Sequence, residues 1–254
     1  MAEYSAEDLF EIFANLQSAN WRAIVVGGQA VNLWCSRYHS VIPELPRYQP
    51  IVSRDLDFYG GLSEAKLAMK ALGATGRLNS GTDPSPNAGV IQVQMPEGNT
   101  LVIDILTSVY GVSSTELLRS AIAWSFETPK FSLTLRVIHP LLLLESKLAC
   151  FRSLPQSNRQ DEKHAILSSL VVKAWLIEQL ETPRSVFKAV ERLVGTMQTQ
   201  DGLFGFAKGI DLWACIPVEE MRQNNAYSVF FEQRLHQLIG MVNTSRASDS
   251  ESRS

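Results

Sequence analysis

The chain has 254 residues, 45% of them hydrophobic, and a net charge of −3 at pH 7. A chain of this length and apolar content can build one large or two small cored domains, which excludes global disorder, and its acidic balance argues against a general DNA-coating protein. No apolar run reaches the roughly 18 residues of a membrane helix, the N terminus is polar, and the three cysteines are widely spaced, so we expect a cytoplasmic protein without a membrane partner.

The N-terminal half alternates between helical and strand patterns. Ser5 and Asp8 form a weak capping box, and the apolar residues that follow at helical spacing predict a helix through Leu16. Residues 22–26 predict a short buried strand that stops at Gly27-Gly28. The patterns further predict helices at 30–38, 63–72 and 114–124, strands at 55–59, 90–95, 100–106 and 131–138, a proline-rich loop at 39–53, turns at 79–89, and a hairpin turn at 96–99.

After His139 the pattern becomes entirely helical. Pro140 suits the first turn of a helix. We predict helices at about 140–152, 160–181, 184–198 and 218–242. The polar composition of the C-terminal segment predicts disorder. The chain is therefore divided into an α/β domain at 1–139, a helical domain at 140–243 and a disordered tail at 244–254.

Three acidic residues stand out within the predicted strands. Asp55 and Asp57 flank Leu56, and residues two apart on a strand point to the same face. Asp104 lies in an apolar strand, where a lone carboxylate is costly unless it is paired. If the two strands are neighbours, the three carboxylates converge. Such a cluster suits Mg²⁺ shared with substrate phosphates, whereas the alternative is a buried Asp104 paired with an arginine.

Gly27-Gly28 follows a strand and opens a helix. Glycines at such a turn let backbone N–H groups approach a phosphate, with help from the helix dipole, although a glycine pair there is most often only a turn. It is neither a dinucleotide-binding fingerprint nor a P-loop. Arg54, beside the acids, could bind a phosphate or neutralise Asp55 or Asp57, and these alternatives remain open.

In this order, Gly27-Gly28, Ser53-Arg54-Asp55-Leu56-Asp57-Phe58 and Val102-Ile103-Asp104-Ile105 resemble the DNA polymerase beta-like nucleotidyltransferase superfamily. The segments 139–149 (HPLLLLESKLA) and 159–164 (RQDEKH) resemble its abortive-infection toxins, the type IV toxin–antitoxin group. The resemblance covers about residues 20–175. It departs from the family where many members have Gly-Ser in place of Gly27-Gly28, and in the long stretch before Asp55.

The resemblance implies an α+β protein with the nucleotidyltransferase fold, a small mixed sheet flanked by helices and followed by an α-helical C-terminal half. It also implies catalytic roles for Asp55, Asp57, Asp104 and Asp161. The first three would bind Mg²⁺, or Mn²⁺, and a nucleoside triphosphate such as ATP. The residues expected to contact the nucleotide are Gly27, Gly28, Arg54 and Lys147. For Lys147 the alternative is a lysine that covers an apolar helix face and keeps its amino group in water.

The reaction implied is attack of a hydroxyl on the α-phosphate of the triphosphate, with release of pyrophosphate. The acceptor would be a tRNA 3′ end or a protein side chain, and an antitoxin protein is the implied partner. Two alternatives come from other classes. One is a catalytically silent module that binds nucleotide, and the other is a glycosyltransferase whose D-x-D motif binds a metal and a nucleotide-sugar.

Overall fold

A computed structural model describes residues 2–80, 85–127, 130 and 132–252, with 250–252 described by their backbone alone. The chain separates into two compact units, 1–39 with 43–143, and 40–42 with 144–254. The division falls four residues after the predicted boundary at 139. None of the helices in the described residues is long and apolar enough to cross a membrane.

The first unit contains four helices and a mixed sheet within its described residues. The helices are α1 (Phe10–Ser18), α2 (Gly27–Arg37), α3 (Leu62–Ala71) and α4 (Ser114–Ser120). The strands are β1 (Ile24–Val25), β2 (Asp55–Tyr59), β3 (Thr75–Leu78), β4 (Asn87–Gln94), β5 (Thr100–Leu106), β6 (Ile122–Glu127) and β7 (Ser132–Val137). Their order is β3-β4-β5-β2-β1-β7-β6, with parallel pairs β2–β5 and β1–β7. The expected mixed α/β architecture is therefore present.

The sheet of the first unit buries its apolar side chains under α1 and α3. Phe58 of β2 lies edge-on to Trp21 and Phe13, with ring centroids 4.2 Å and 6.3 Å away. The Trp21 indole donates to the carbonyl of Glu64 in α3. Alternation along β2 puts Leu56 and Phe58 in this core, while Asp55 and Asp57 face the other way.

Several local predictions for the first unit are confirmed, one is wrong, and one strand was missed. Ser5 and Asp8 exchange hydrogen bonds as a capping box does, and β4 and β5 form the predicted hairpin, with Gly98 at φ +83°. The helix predicted at 114–124 ends at Ser120, because the following residues pair with β7 as strand β6. Strand β3 was not predicted. Phe131 and residues 81–84, which belong to a predicted strand and a predicted turn, lie outside the described residues.

The second unit is helical within its described residues. It contains most of α5 (Pro140–Ser153), then α6 (Asp161–Glu178), α7 (Pro183–Gln198), α8 (Gln200–Ala207), α9 (Val218–Arg222) and α10 (Leu235–Ser252). Helices α5, α6 and α7 match their predictions closely. Helix α8 was not predicted. The single helix predicted at 218–242 is broken, since a 3₁₀ turn (Asn225–Tyr227) and a π turn (Phe230–Arg234) separate α9 from α10.

Helix α10 continues to Ser252, so residues 244–252 are helical where their composition predicted disorder. Tertiary contacts stabilise this polar segment as a helix, although its composition alone does not. The Arg246 guanidinium lies 3.5 Å from the centroid of the Phe206 ring and donates to Asp211, and Gln198 donates to Ser245. These contacts hold the polar part of the helix against its own unit. Residues 253 and 254 lie outside the described residues.

Candidate active site

Asp55, Asp57 and Asp104 lie on one face of the sheet of the first unit. Strands β2 and β5 are parallel neighbours, and Asp57 is directly paired with Asp104 while Asp55 is paired with Val102. Paired residues on adjacent strands point to the same face, and so do residues two apart on one strand. The two strands therefore bring the three carboxylates together on one face of the sheet. We call this set the acidic trio.

Asp104 is held by a side chain of a neighbouring strand. Its Oδ1 accepts a hydrogen bond of 2.8 Å from the Asn87 side-chain amide, on β4. Burial, and secondarily the charge of Asp55, raise the pKa of the Asp104 carboxyl above its usual value. The neighbouring acid thus makes it harder for Asp104 to be charged. A bound cation would relieve this repulsion.

Gly27 begins α2 directly beside Asp57. The backbone of Val26 donates to the Asp57 carbonyl at 3.0 Å, which ties the start of the helix to β2. Gly27 has φ +66°, and a Cβ built on it would lie 1.9 Å from Asp57 Oδ2. Only a residue without a side chain lets this carboxylate approach the helix N terminus so closely. Gly28 is the next residue and is buried in the first turn of the helix.

Arg54 precedes the acidic trio and makes an ion pair with the N-terminal segment. Its Nε lies 3.4 Å from Glu3 Oε1, and both side chains are about one-third exposed. The backbones of Tyr4 and Ser53 form an isolated antiparallel bridge that aligns these segments. The ion pair is weak at this exposure. Arg54 remains a candidate for a phosphate or for neutralising an adjacent acid.

Lys147 and Asp161 belong to the second unit, where they are 6% and 3% exposed. Asp161, the first residue of α6, accepts a hydrogen bond from Arg159 Nε. The neighbouring His164 is also buried. Burial, followed by the charges of Lys147, Lys163 and Arg159, lowers the pKa of His164 well below its usual value. The second unit therefore buries Lys147, Asp161 and His164 near the N terminus of α6, with the exposed Arg159 bonded to Asp161.

The acidic trio fits a hard divalent cation by the chemistry of its donors. In the part of the chain that the structure describes, no group of three or more histidine, cysteine, aspartate or glutamate side chains has the geometry of a formed metal site. All the donors of the trio are carboxylate oxygens, the ligands that Mg²⁺ and Mn²⁺ prefer. The pairing of Asp57 with Asp104, and the Asn87 hydrogen bond that holds one oxygen of Asp104, agree with such an ion.

Sequence reasoning missed Asn87, which lies in the segment predicted as turns. Its side chain bonds directly to a member of the acidic trio. Nothing in the local pattern distinguishes it from Asn79, the other asparagine of that segment. Comparisons with protein-family models, with curated proteins and with solved structures found no match for this chain.

Proposed function

We propose that the protein is a Mg²⁺-dependent nucleotidyltransferase, which transfers a nucleoside monophosphate from a nucleoside triphosphate to a hydroxyl acceptor. The observation that carries the proposal is the pairing of Asp57 with Asp104 on parallel strands, with Asp55 on the same face. Mutually repelling carboxylates destabilise a fold unless a cation or a proton neutralises them. The resemblance to the nucleotidyltransferase superfamily implies such a cation, together with a triphosphate.

In this proposal Asp55, Asp57 and Asp104 would hold Mg²⁺, with Mn²⁺ as a substitute. When bound, the ion supplies positive charge at the phosphates of the substrate. Gly27 and Gly28 are proposed to offer backbone N–H groups to a phosphate at the first turn of α2, beside the Asp57 carboxylate, where the helix dipole favours negative charge. Arg54 is proposed to contact the nucleotide. The roles that the resemblance implies for Lys147 and Asp161, which belong to the second unit, stay predictions.

The proposed reaction transfers a nucleoside monophosphate by displacement at its α-phosphorus. The acceptor oxygen forms a bond to the α-phosphorus, the bond from that phosphorus to the bridging oxygen breaks, and pyrophosphate leaves. The hydroxyl proton is taken up by a carboxylate of the acidic trio. The acceptor is proposed to be a tRNA 3′ end or a protein side chain. Such a reaction would make the protein a toxin, and an antitoxin protein is proposed as its partner.

The direct test is transfer of label from each α-labelled nucleoside triphosphate, in the presence of Mg²⁺, to total tRNA or to proteins of a cell extract. The inactive variant is Asp57→Asn, which keeps the shape of the side chain and removes its charge. A matched control is Glu97→Gln, which removes a charge from the exposed turn between β4 and β5. Label that appears with wild type and Glu97→Gln, and is lost in Asp57→Asn, supports the proposal.

Two other outcomes would replace the proposal. Mg²⁺-dependent binding of triphosphate without any transfer would identify a silent nucleotide-binding module. Binding of nucleotide-sugars in preference to triphosphates would favour a metal-dependent glycosyltransferase. If the wild-type protein neither transfers label nor binds nucleotide, the acidic trio has only a structural role.

A further inference from the structure

A β-bulge lies at the start of β4, beside the acidic trio. From Gln94 to Gly89, each residue of β4 is paired with β5 in regular antiparallel register, so Val90 is opposite Asp104 and Gly89 is opposite Ile105. The next residue, Ala88, would then be opposite Leu106. Instead Asn87 is opposite Leu106, so Ala88 is the extra residue of the bulge.

The bulge decides which face of the sheet Asn87 occupies. In regular register Ala88 would share a face with Val90 and Asp104, and Asn87 would point to the opposite face. The extra residue reverses this arrangement, because Asn87 now takes the position opposite Leu106. From there its Nδ2 reaches Asp104 Oδ1 at 2.8 Å. The hydrogen bond to the acidic trio exists only because the strand is irregular at this point.

Hydrogen bonds from two neighbouring segments hold the bulge in place. Asn79, which follows β3, donates from its side chain to the Asn87 carbonyl and from its backbone to the Ala88 carbonyl. Thr107, which follows β5, donates from both its backbone and its hydroxyl to the Pro86 carbonyl, at 2.7 Å and 2.8 Å. These hydrogen bonds fix the backbone on both sides of Asn87, and the backbone in turn sets the direction of the Asn87 side chain.

We infer that Asn87 is a positioning residue that orients Asp104 for a divalent cation bound by the acidic trio. This inference rests on the proposed function. The amide holds one carboxylate oxygen of Asp104 by a hydrogen bond and leaves the other oxygen for a cation. Because the amide is neutral, it orients the carboxylate without adding a fourth negative charge to the trio. Groups that hydrogen-bond to metal ligands commonly control metal affinity in this way.

The inference is tested by titrating Mn²⁺ into the full-length protein and measuring the free ion by electron paramagnetic resonance. Asn87→Ala should raise the Kd for Mn²⁺ by roughly 10-fold, the lower end of the effect of removing such a group. Asn87→Leu, which keeps the branching of asparagine at Cγ but has no donor, should do the same and covers the case in which the alanine variant folds poorly.

Thr107→Val is the matched control, because it removes one hydrogen bond that supports the bulge and keeps Asn87. It should lower the Tm slightly and leave the Kd for Mn²⁺ at the wild-type value. Raising the Mn²⁺ concentration should restore nucleotide binding to the Asn87 variants, which a purely structural defect would not allow. If wild type binds Mn²⁺ and both Asn87 variants bind it equally well, the role of Asn87 is refuted and the proposed cation site is not. If wild type binds no Mn²⁺, the proposed cation site is refuted as well.

Discussion

The contact between Gly27 and Asp57 makes Gly27→Ala the most informative substitution in the protein. The Cβ of an alanine at this position would lie 1.9 Å from Oδ2, 2.7 Å from Cγ and 2.8 Å from Cβ of Asp57. The atoms closest to the new methyl group all belong to one side chain of the acidic trio. The substitution is therefore a steric probe of Asp57 that leaves every acid chemically intact.

The expected effect of Gly27→Ala has two separable parts. The backbone part follows from φ +66°, since a residue with a Cβ in left-handed conformation loses about 1–2 kcal/mol. The steric part follows from the distance, because an ordinary contact begins near 3.4 Å and the Asp57 carboxylate must retreat from 1.9 Å to reach it. A misplacement of only about 1 Å can reduce a reaction rate by roughly 100-fold. We expect at least that loss of transfer activity.

Gly73→Ala separates the two parts. Gly73 ends α3 with φ +58°, and a Cβ there would meet no atom within 4 Å. It therefore carries the same backbone cost without the clash. Urea denaturation should show the backbone cost in both variants and a larger total loss of unfolding free energy for Gly27→Ala, while the labelling assay should show a loss of transfer only for Gly27→Ala. If Gly27→Ala transfers nucleotide and binds Mn²⁺ as well as Gly73→Ala does, the assignment of Asp57 to the site is wrong.

Three further predictions concern the electrostatics. Burial raises the pKa of Asp104, so ionisation of this carboxyl destabilises the fold as the pH rises through its folded-state pKa. Asp104→Asn should therefore raise the Tm at pH 7.5 in EDTA, by at most about 4 °C given solvent screening. The same variant should abolish transfer. His164 has a lowered pKa in the folded state, so acidification below the unfolded value near 6.5 should cost wild type about 1.4 kcal/mol per pH unit in urea denaturation, and His164→Gln should remove this slope. Arg192 forms two hydrogen bonds with Glu145, at 2.7 Å and 2.6 Å, so Arg192→Ala should cost roughly 2 kcal/mol, whereas Arg234→Ala, which breaks an exposed pair, should cost less than about 1 kcal/mol by the same measurement.

Local signals predicted those elements whose cause is local. The capping box at Ser5 and the turn at Gly98 depend on residues a few positions apart, and both are present. The long helices α5, α6 and α7 follow from apolar spacing and from the prolines that begin two of them. The failures have long-range causes. β3 is an exposed edge strand that forms only by pairing with β4, and β6 only by pairing with β7.

The strand β3 illustrates why local patterns are insufficient. Three of its four residues are exposed, so it lacks the alternation that marks a half-buried strand. Gly76 is needed there because a Cβ would lie 2.4 Å from the Val90 carbonyl oxygen of the neighbouring strand. From the sequence alone such a glycine indicates a turn. Its real cause is the close approach of another strand.

The amino-acid pattern alone defines the reactive groups of this protein. It showed two carboxylates one residue apart on a strand, a third in an apolar strand, and a glycine pair between a strand and a helix. Only the tertiary structure decided their arrangement. It made β2 and β5 parallel neighbours with Asp57 opposite Asp104, set Gly27 against Asp57, and turned Asn87 toward Asp104 through a bulge. The physical reason is that strand pairing and register depend on contacts between distant segments, and no local preference encodes them.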